Sequence, residues 1–111
     1  MIKSGTQFEA VRLSAMDHLD AEGSVIRSGR LLADAVLKHV SIDRVVVVSF
    51  SGLKGAASSY FNVFLRRIQE VCGLAVFDSV IQLEFGTSIQ KQIFDRSWNA
   101  MQDGLRNSPL D

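Results

Sequence analysis

The sequence predicts an open α/β fold, a mixed or mostly parallel sheet of about four strands carrying three helices. Three observations predict it. Four consecutive valines, Val45 to Val48, mark a buried strand. The segments on either side of it have the apolar spacing of amphipathic helices. Strand-like and helix-like segments then alternate along most of the chain in the order β, loop, α, β, α, β, α, which is the order of strand–crossover–strand units.

The first third is the least patterned. Phe8 to Leu13 reads as an edge strand, followed by a polar hairpin or loop over Met16 to Val25. From Arg30 to Val40, Leu31, Leu32, Ala35, Val36 and His39 recur at helical spacing, and Ser28 is a candidate N-cap. Arg44 to Phe50 is the best strand. Its β-branched run disfavours a short helix and fits a position covered on both faces. A small-residue connection, Ser51 to Ala57, leads to a helix that starts at Ser58 or Ser59 and runs to Cys72. Phe61, Phe64, Leu65, Ile68, Val71 and Cys72 form its apolar stripe, opposite Arg66, Arg67, Gln69 and Glu70. Gly73 is a natural stop. Ala75 to Phe85 reads as one long or two short strands, with Ile81, Leu83 and Phe85 alternating against Gln82 and Glu84. Thr87 and Gln90 have capping-box spacing for a last helix lined by Ile89, Ile93, Ser97, Ala100 and Met101. Phe94 and Trp98 widen that stripe.

The chain is 111 residues long, the size of one domain, with a core at about 8–103 and a short C-terminal tail. Twelve Lys and Arg balance twelve Asp and Glu, so no overall charge attracts nucleic acid or an anionic membrane. Hydrophobic residues make up 47% of the chain, too many for a disordered tail. A single cysteine excludes an internal disulfide framework and a cysteine-rich zinc site. No apolar run is long enough to span a bilayer and no secretory h-region opens the chain, so the expected compartment is the cytosol.

Candidate chemistries are sparse. Ser51-Gly52-Leu53-Lys54-Gly55-Ala56-Ala57-Ser58 joins a strand to a helix start, where backbone N–H groups can hold an anion. Lys54 precedes Gly55, however, and neither a Gly-Lys-Ser/Thr triplet nor a dinucleotide fingerprint exists. Asp17, His18, Asp20 and Glu22 cluster without the spacing of a zinc or calcium motif, and His39 is remote, so a solvated acidic loop is the simpler reading. Neither Ser58 nor Ser59 lies in a nucleophile elbow. Cys72 falls on an apolar stripe, as an inert thiol does. Arg27, Arg30, Arg66 and Arg67 accompany no recognition motif. These features predict no enzyme, no cofactor and no metal site.

The run Val45 to Phe50, followed by Ser51-Gly52-Leu53-Lys54-Gly55-Ala56-Ala57-Ser58-Ser59-Tyr60-Phe61 and a helix ending at Gly73, resembles the STAS-like family of small bacterial and phage domains. The segment Arg27-Ser28-Gly29-Arg30-Leu31-Leu32 also resembles the stretch before that family's first helix. The family is catalogued mostly as a domain of unknown function and is similar to anti-sigma-factor antagonists. The resemblance implies a cytoplasmic, non-enzymatic protein-binding regulatory or adaptor domain whose strand–loop–helix junction, residues 52–59, meets a histidine-kinase-like ATPase domain. It implies partner contacts at Gly52, Lys54, Gly55, Ser58, Ser59 and Tyr60, with Ser58 as the phosphate acceptor. Ala57 stands where the antagonists carry aspartate, and Tyr60 where they carry glycine. Read without the resemblance, Ser58 is equally an N-cap. Two alternatives remain: a small-ligand or nucleotide site at the same helix start, and a homo-oligomeric module using Phe94, Trp98 and Met101.

Overall fold

A computed structural model describes residues 9–40, 44–54 and 57–106. The elements are β1 (Glu9–Ser14), a 3-10 turn (Ala15–Asp17), α1 (Val25–Leu37), β2 (Arg44–Ser49), α2 (Ser58–Val71), α3 (Leu74–Val80), β3 (Ile81–Glu84) and α4 (Ser88–Arg106). The sheet is parallel, in the order β1-β2-β3. An open parallel α/β fold is therefore what the chain forms, with three strands and four α-helices among the described residues rather than four and three.

The topology dictates where the core lies. Right-handed crossovers between strands that follow one another across a sheet put their helices on the same face. Val46, Val48 and Phe50 accordingly share one buried cluster with Leu32 and Val36 of α1, Phe61, Phe64 and Ile68 of α2, and Phe94 of α4. Registered neighbours across the strands, such as Val11, Val46 and Ile81, lie on this face. The opposite face carries Arg12, Val45, Val47, Gln82 and Glu84. Arg12 Nη1 reaches Glu84 Oε1 at 3.3 Å across the central strand. Val47 is buried but Val45 is only half-buried, and neither belongs to the core cluster. The expectation that β2 is covered on both faces thus holds at its centre, where Val46, Val47 and Val48 are all buried, and fails at Val45.

Three elements depart from the sequence expectation, one in its start, one in its type and one in its buried face. Helix α1 begins five residues before Arg30, capped by Ser24, whose hydroxyl accepts from Arg27 N at 3.2 Å. Ser28 is not the cap but a buried residue within the helix. Its hydroxyl donates to Ser24 O at 2.7 Å and accepts from Asp20 N at 2.8 Å. The first turn was hidden because Val25 and Ile26 are exposed and break the apolar stripe. Gly29, a poor helix former, sits where α1 crosses α2, and a Cβ there would meet Tyr60 O at 2.7 Å.

Leu74–Val80 is a helix, not a strand. Leu74, Phe77 and Ile81 are buried at offsets 0, 3 and 7, a helical period. Leu74 N donates to Gln69 Oε1 at 2.9 Å, which secures the start of α3. In α4 Ser97 is buried as expected and Ile93 and Met101 pack against the core, but Ile89 is 66% exposed, Ala100 is exposed, and Gln90 and Phe94 take the buried places of the first turns.

Candidate functional site

The C-terminal ends of parallel strands are where α/β sheets hold their ligand-facing loops. Here β2 ends in a tight turn in which Leu53 N donates to Phe50 O at 3.1 Å. Gly52 supplies the positive φ of 86° that the third position of such a turn requires. Gln90 holds this turn from α4. Its side-chain amide donates to Phe50 O at 3.2 Å and Leu53 O at 2.9 Å, while its oxygen accepts from Gly86 N at 2.8 Å. Gln90 N in turn donates to Thr87 Oγ1 at 3.0 Å, so Thr87 caps α4 as expected, while the Gln90 oxygen takes Gly86 N rather than the Thr87 N–H of a full capping box. The spacing of Thr87 and Gln90 revealed the cap. Nothing local could reveal that the same amide spans 37 to 40 residues to fix the β2–α2 loop.

Of the residues expected to meet a partner, Gly52, Lys54, Ser58 and Ser59 are exposed together at this end of the molecule, and Gly55 lies outside the described residues. Tyr60 is a correction. It is 2% exposed, with its ring edge-on to Phe50 and Phe61 at centroid distances of 6.3 and 5.4 Å. The third residue of α2 faces the core, so Tyr60 offers no exposed contact. Ser58 is the first residue of the helix rather than its N-cap. The cap position belongs to Ala57, which has no side-chain oxygen to offer. The N–H groups of Ser58 and Ser59 open the helix, where no preceding turn supplies an acceptor.

A cleft of about 340 Å³ opens beside this junction. It lies between the loop that follows β1 and the loop that follows β2, and Met16, Leu19, Val25, Leu53, Lys54 and Tyr60 line it. Met16, Leu19 and Val25 are each more than two-fifths exposed, so an apolar rim faces water next to the helix start. Met16, Leu19 and Val25 lie in a segment without periodicity, so nothing in the sequence marks them as a lining. Asp20 shows what the acidic stretch does instead. Its Oδ2 accepts from Glu22 N and Ser24 N, each at 3.1 Å, and so shapes the loop that walls the cleft.

The remaining groups fall into structural roles. No cluster of three or more potential metal-ligating side chains occurs among the described residues. Arg67 Nε donates to Asp34 Oδ1 at 2.8 Å and ties α2 to α1. Burial pushes the Cys72 thiol up, away from the reactive thiolate. Of the residues named for an oligomer contact, Phe94 is 6% exposed, and Trp98 and Met101 are half-buried and pack against the core. No helix among the described residues is long and apolar enough to cross a membrane. No protein-family model matches the chain, nor does any curated protein or solved structure.

Proposed function

We propose that this chain is a non-enzymatic protein-binding regulatory or adaptor domain whose partner docks on the end of the sheet formed by Gly52, Lys54, Ser58 and Ser59. The observation that carries the reading is the exposure of Ser58 and Ser59 on the first turn of α2 beside an apolar rim. Such a surface combines groups that desolvate easily with hydroxyls and helix-start N–H groups that give direction. A phosphate on Ser58 would add about −1.5 to −2 charges at that point. The helix start favours the charge, whereas an apolar partner surface opposes it, so modification there would switch docking. The resemblance to STAS-like domains points to a cytoplasmic ATPase domain of the histidine-kinase type as the partner.

Partner capture from native cells, followed by intact-mass measurement of the bound chain, tests association and modification together. Lys54→Glu and Ser58→Asp each change charge at exposed positions and leave the core untouched. Each is expected to reduce recovery of the captured partner by about tenfold or more. Recovery unchanged in the double variant would reject this docking surface.

A further inference from the structure

We propose that the outer edge of β3 is the contact surface of a two-fold symmetric dimer of this chain, in which two copies of β3 pair antiparallel about Leu83 and join their sheets. Among the described residues β3 is an edge strand, with β2 on one side and no strand on the other. Glu84 O accepts from Phe50 N at 2.8 Å, so the backbone groups of Gln82 and Glu84 turn towards β2. Backbone groups alternate along a strand, and those of Leu83 and Phe85 therefore face outward. The Ile81 N–H is taken by Phe77 O, which leaves the Ile81 carbonyl for the edge. Pairing about Leu83 uses these groups. Leu83 exchanges N–H and C=O bonds with its counterpart, and each Phe85 N–H donates to the Ile81 carbonyl of the other copy.

The side chains agree with this register and select a second copy as the occupant. On the open face Gln82 stands opposite Glu84 of the other copy, an amide donor against a carboxylate. On the helical face Leu83 meets its counterpart and Ile81 meets Phe85. A groove of about 290 Å³ runs beside this edge between α3 and α4, and Phe77, Phe94, Trp98, Asp78 and Lys91 line it. Asp78 comes shortly before β3 and Lys91 shortly after it, so antiparallel pairing sets each Asp78 against the Lys91 of the other copy. Asp78 makes no ion pair among the described residues, and the exposed Lys91 holds only Asp95, at 2.8 Å. The charges thus complement one another across the two-fold axis. This contact uses none of Gly52, Lys54, Ser58 and Ser59, and it stands independently of whether a protein docks there.

The test is the mass of the full chain by light scattering from about 1 μM to about 1 mM, with backbone amide hydrogen exchange at both ends of that range. A twofold rise in mass is expected. The Leu83 and Phe85 amides should exchange about tenfold more slowly in the concentrated sample. Asp78→Lys and Lys91→Asp change exposed positions and leave the core untouched. Each should weaken association about fivefold or more, and the two together should restore it to within about threefold of the native chain. A mass that stays monomeric to about 1 mM would overturn the proposal. So would exchange at Leu83 and Phe85 that is unaltered by concentration, single variants that associate as tightly as the native chain, or a double variant no tighter than the single ones.

Discussion

At the scale of single residues, two buried polar side chains govern the site end of the molecule in opposite ways. Gln90 uses both ends of its amide, joining α4, the β2–α2 turn and the residue before the α4 cap through three bonds of 2.8–3.2 Å. Gln90→Ala takes the hydrogen-bond partner from Leu53 O and Gly86 N and one of two donors from Phe50 O, which keeps the bond from Leu53 N, and should cost about 2–4 kcal/mol in denaturant unfolding. A cost below about 0.5 kcal/mol would show that the turn holds without the clamp. Tyr60 presents the contrary case. Burial pushes its phenol well above the ordinary 10.0, since the phenolate would lose its hydration. The folded protein therefore keeps this proton while the unfolded chain releases it above about pH 10. The associated stability is complete below that pH and falls as pH rises beyond it. Between about pH 8 and pH 11, the unfolding free energy of the native chain should drop further than that of Tyr60→Phe. Parallel curves for the two proteins would contradict this assignment.

At the scale of elements, helix α2 begins with a cap that is geometrically right and chemically empty. Ala57 has the extended φ and ψ of −99° and 169° that an N-cap adopts, yet no side-chain bond closes the first turn. Ala57→Ser should therefore stabilise the protein by about 1 kcal/mol, seen as a rise in thermal midpoint of a few degrees. No rise would mean that another group already serves the first N–H groups of the helix. The elements legible in the sequence were those whose periodicity was strong and local. The valine strand, the centre of the α2 stripe (Phe61, Phe64, Leu65 and Ile68) with the stop at Gly73, and the Thr87 cap of α4 lie where the pattern put them, whereas Val71 of that stripe is exposed and Tyr60 is buried in its place. The segment 74–80 was misread because Ala75-Val76-Phe77 resembles a strand core, while the signal for a helix, burial at Leu74, Phe77 and Ile81, crosses into the following strand. The start of α1 was missed for the converse reason: its first turn faces solvent and the cleft, so it has no apolar stripe to read. Of the site, the serine pair and the turn glycine were visible as residue types. The cleft was not, because two loops distant in sequence build it.

At the scale of the whole molecule, the strand order has a consequence that no single segment carries. Because β1, β2 and β3 follow one another across the sheet, both crossover connections favour one face, and the four valines of β2 are not equivalent. Val46 is fully buried against the helices, whereas Val45 lies half-buried on the face crossed by the Arg12–Glu84 pair. That ion pair is exposed and contributes at most about 1 kcal/mol, so it does not substitute for a second helical layer. A matched pair of substitutions separates the two faces. Threonine keeps the shape and strand preference of valine and replaces one methyl by a hydroxyl. At Val46 the hydroxyl enters the core without a partner, and Val46→Thr should cost about 1–3 kcal/mol in urea unfolding. At Val45 it meets water, and Val45→Thr should change stability by no more than about 0.5 kcal/mol. Equal losses at the two positions would mean that the face bearing Val45 is as enclosed as the helical one, and that the two-layer arrangement is wrong.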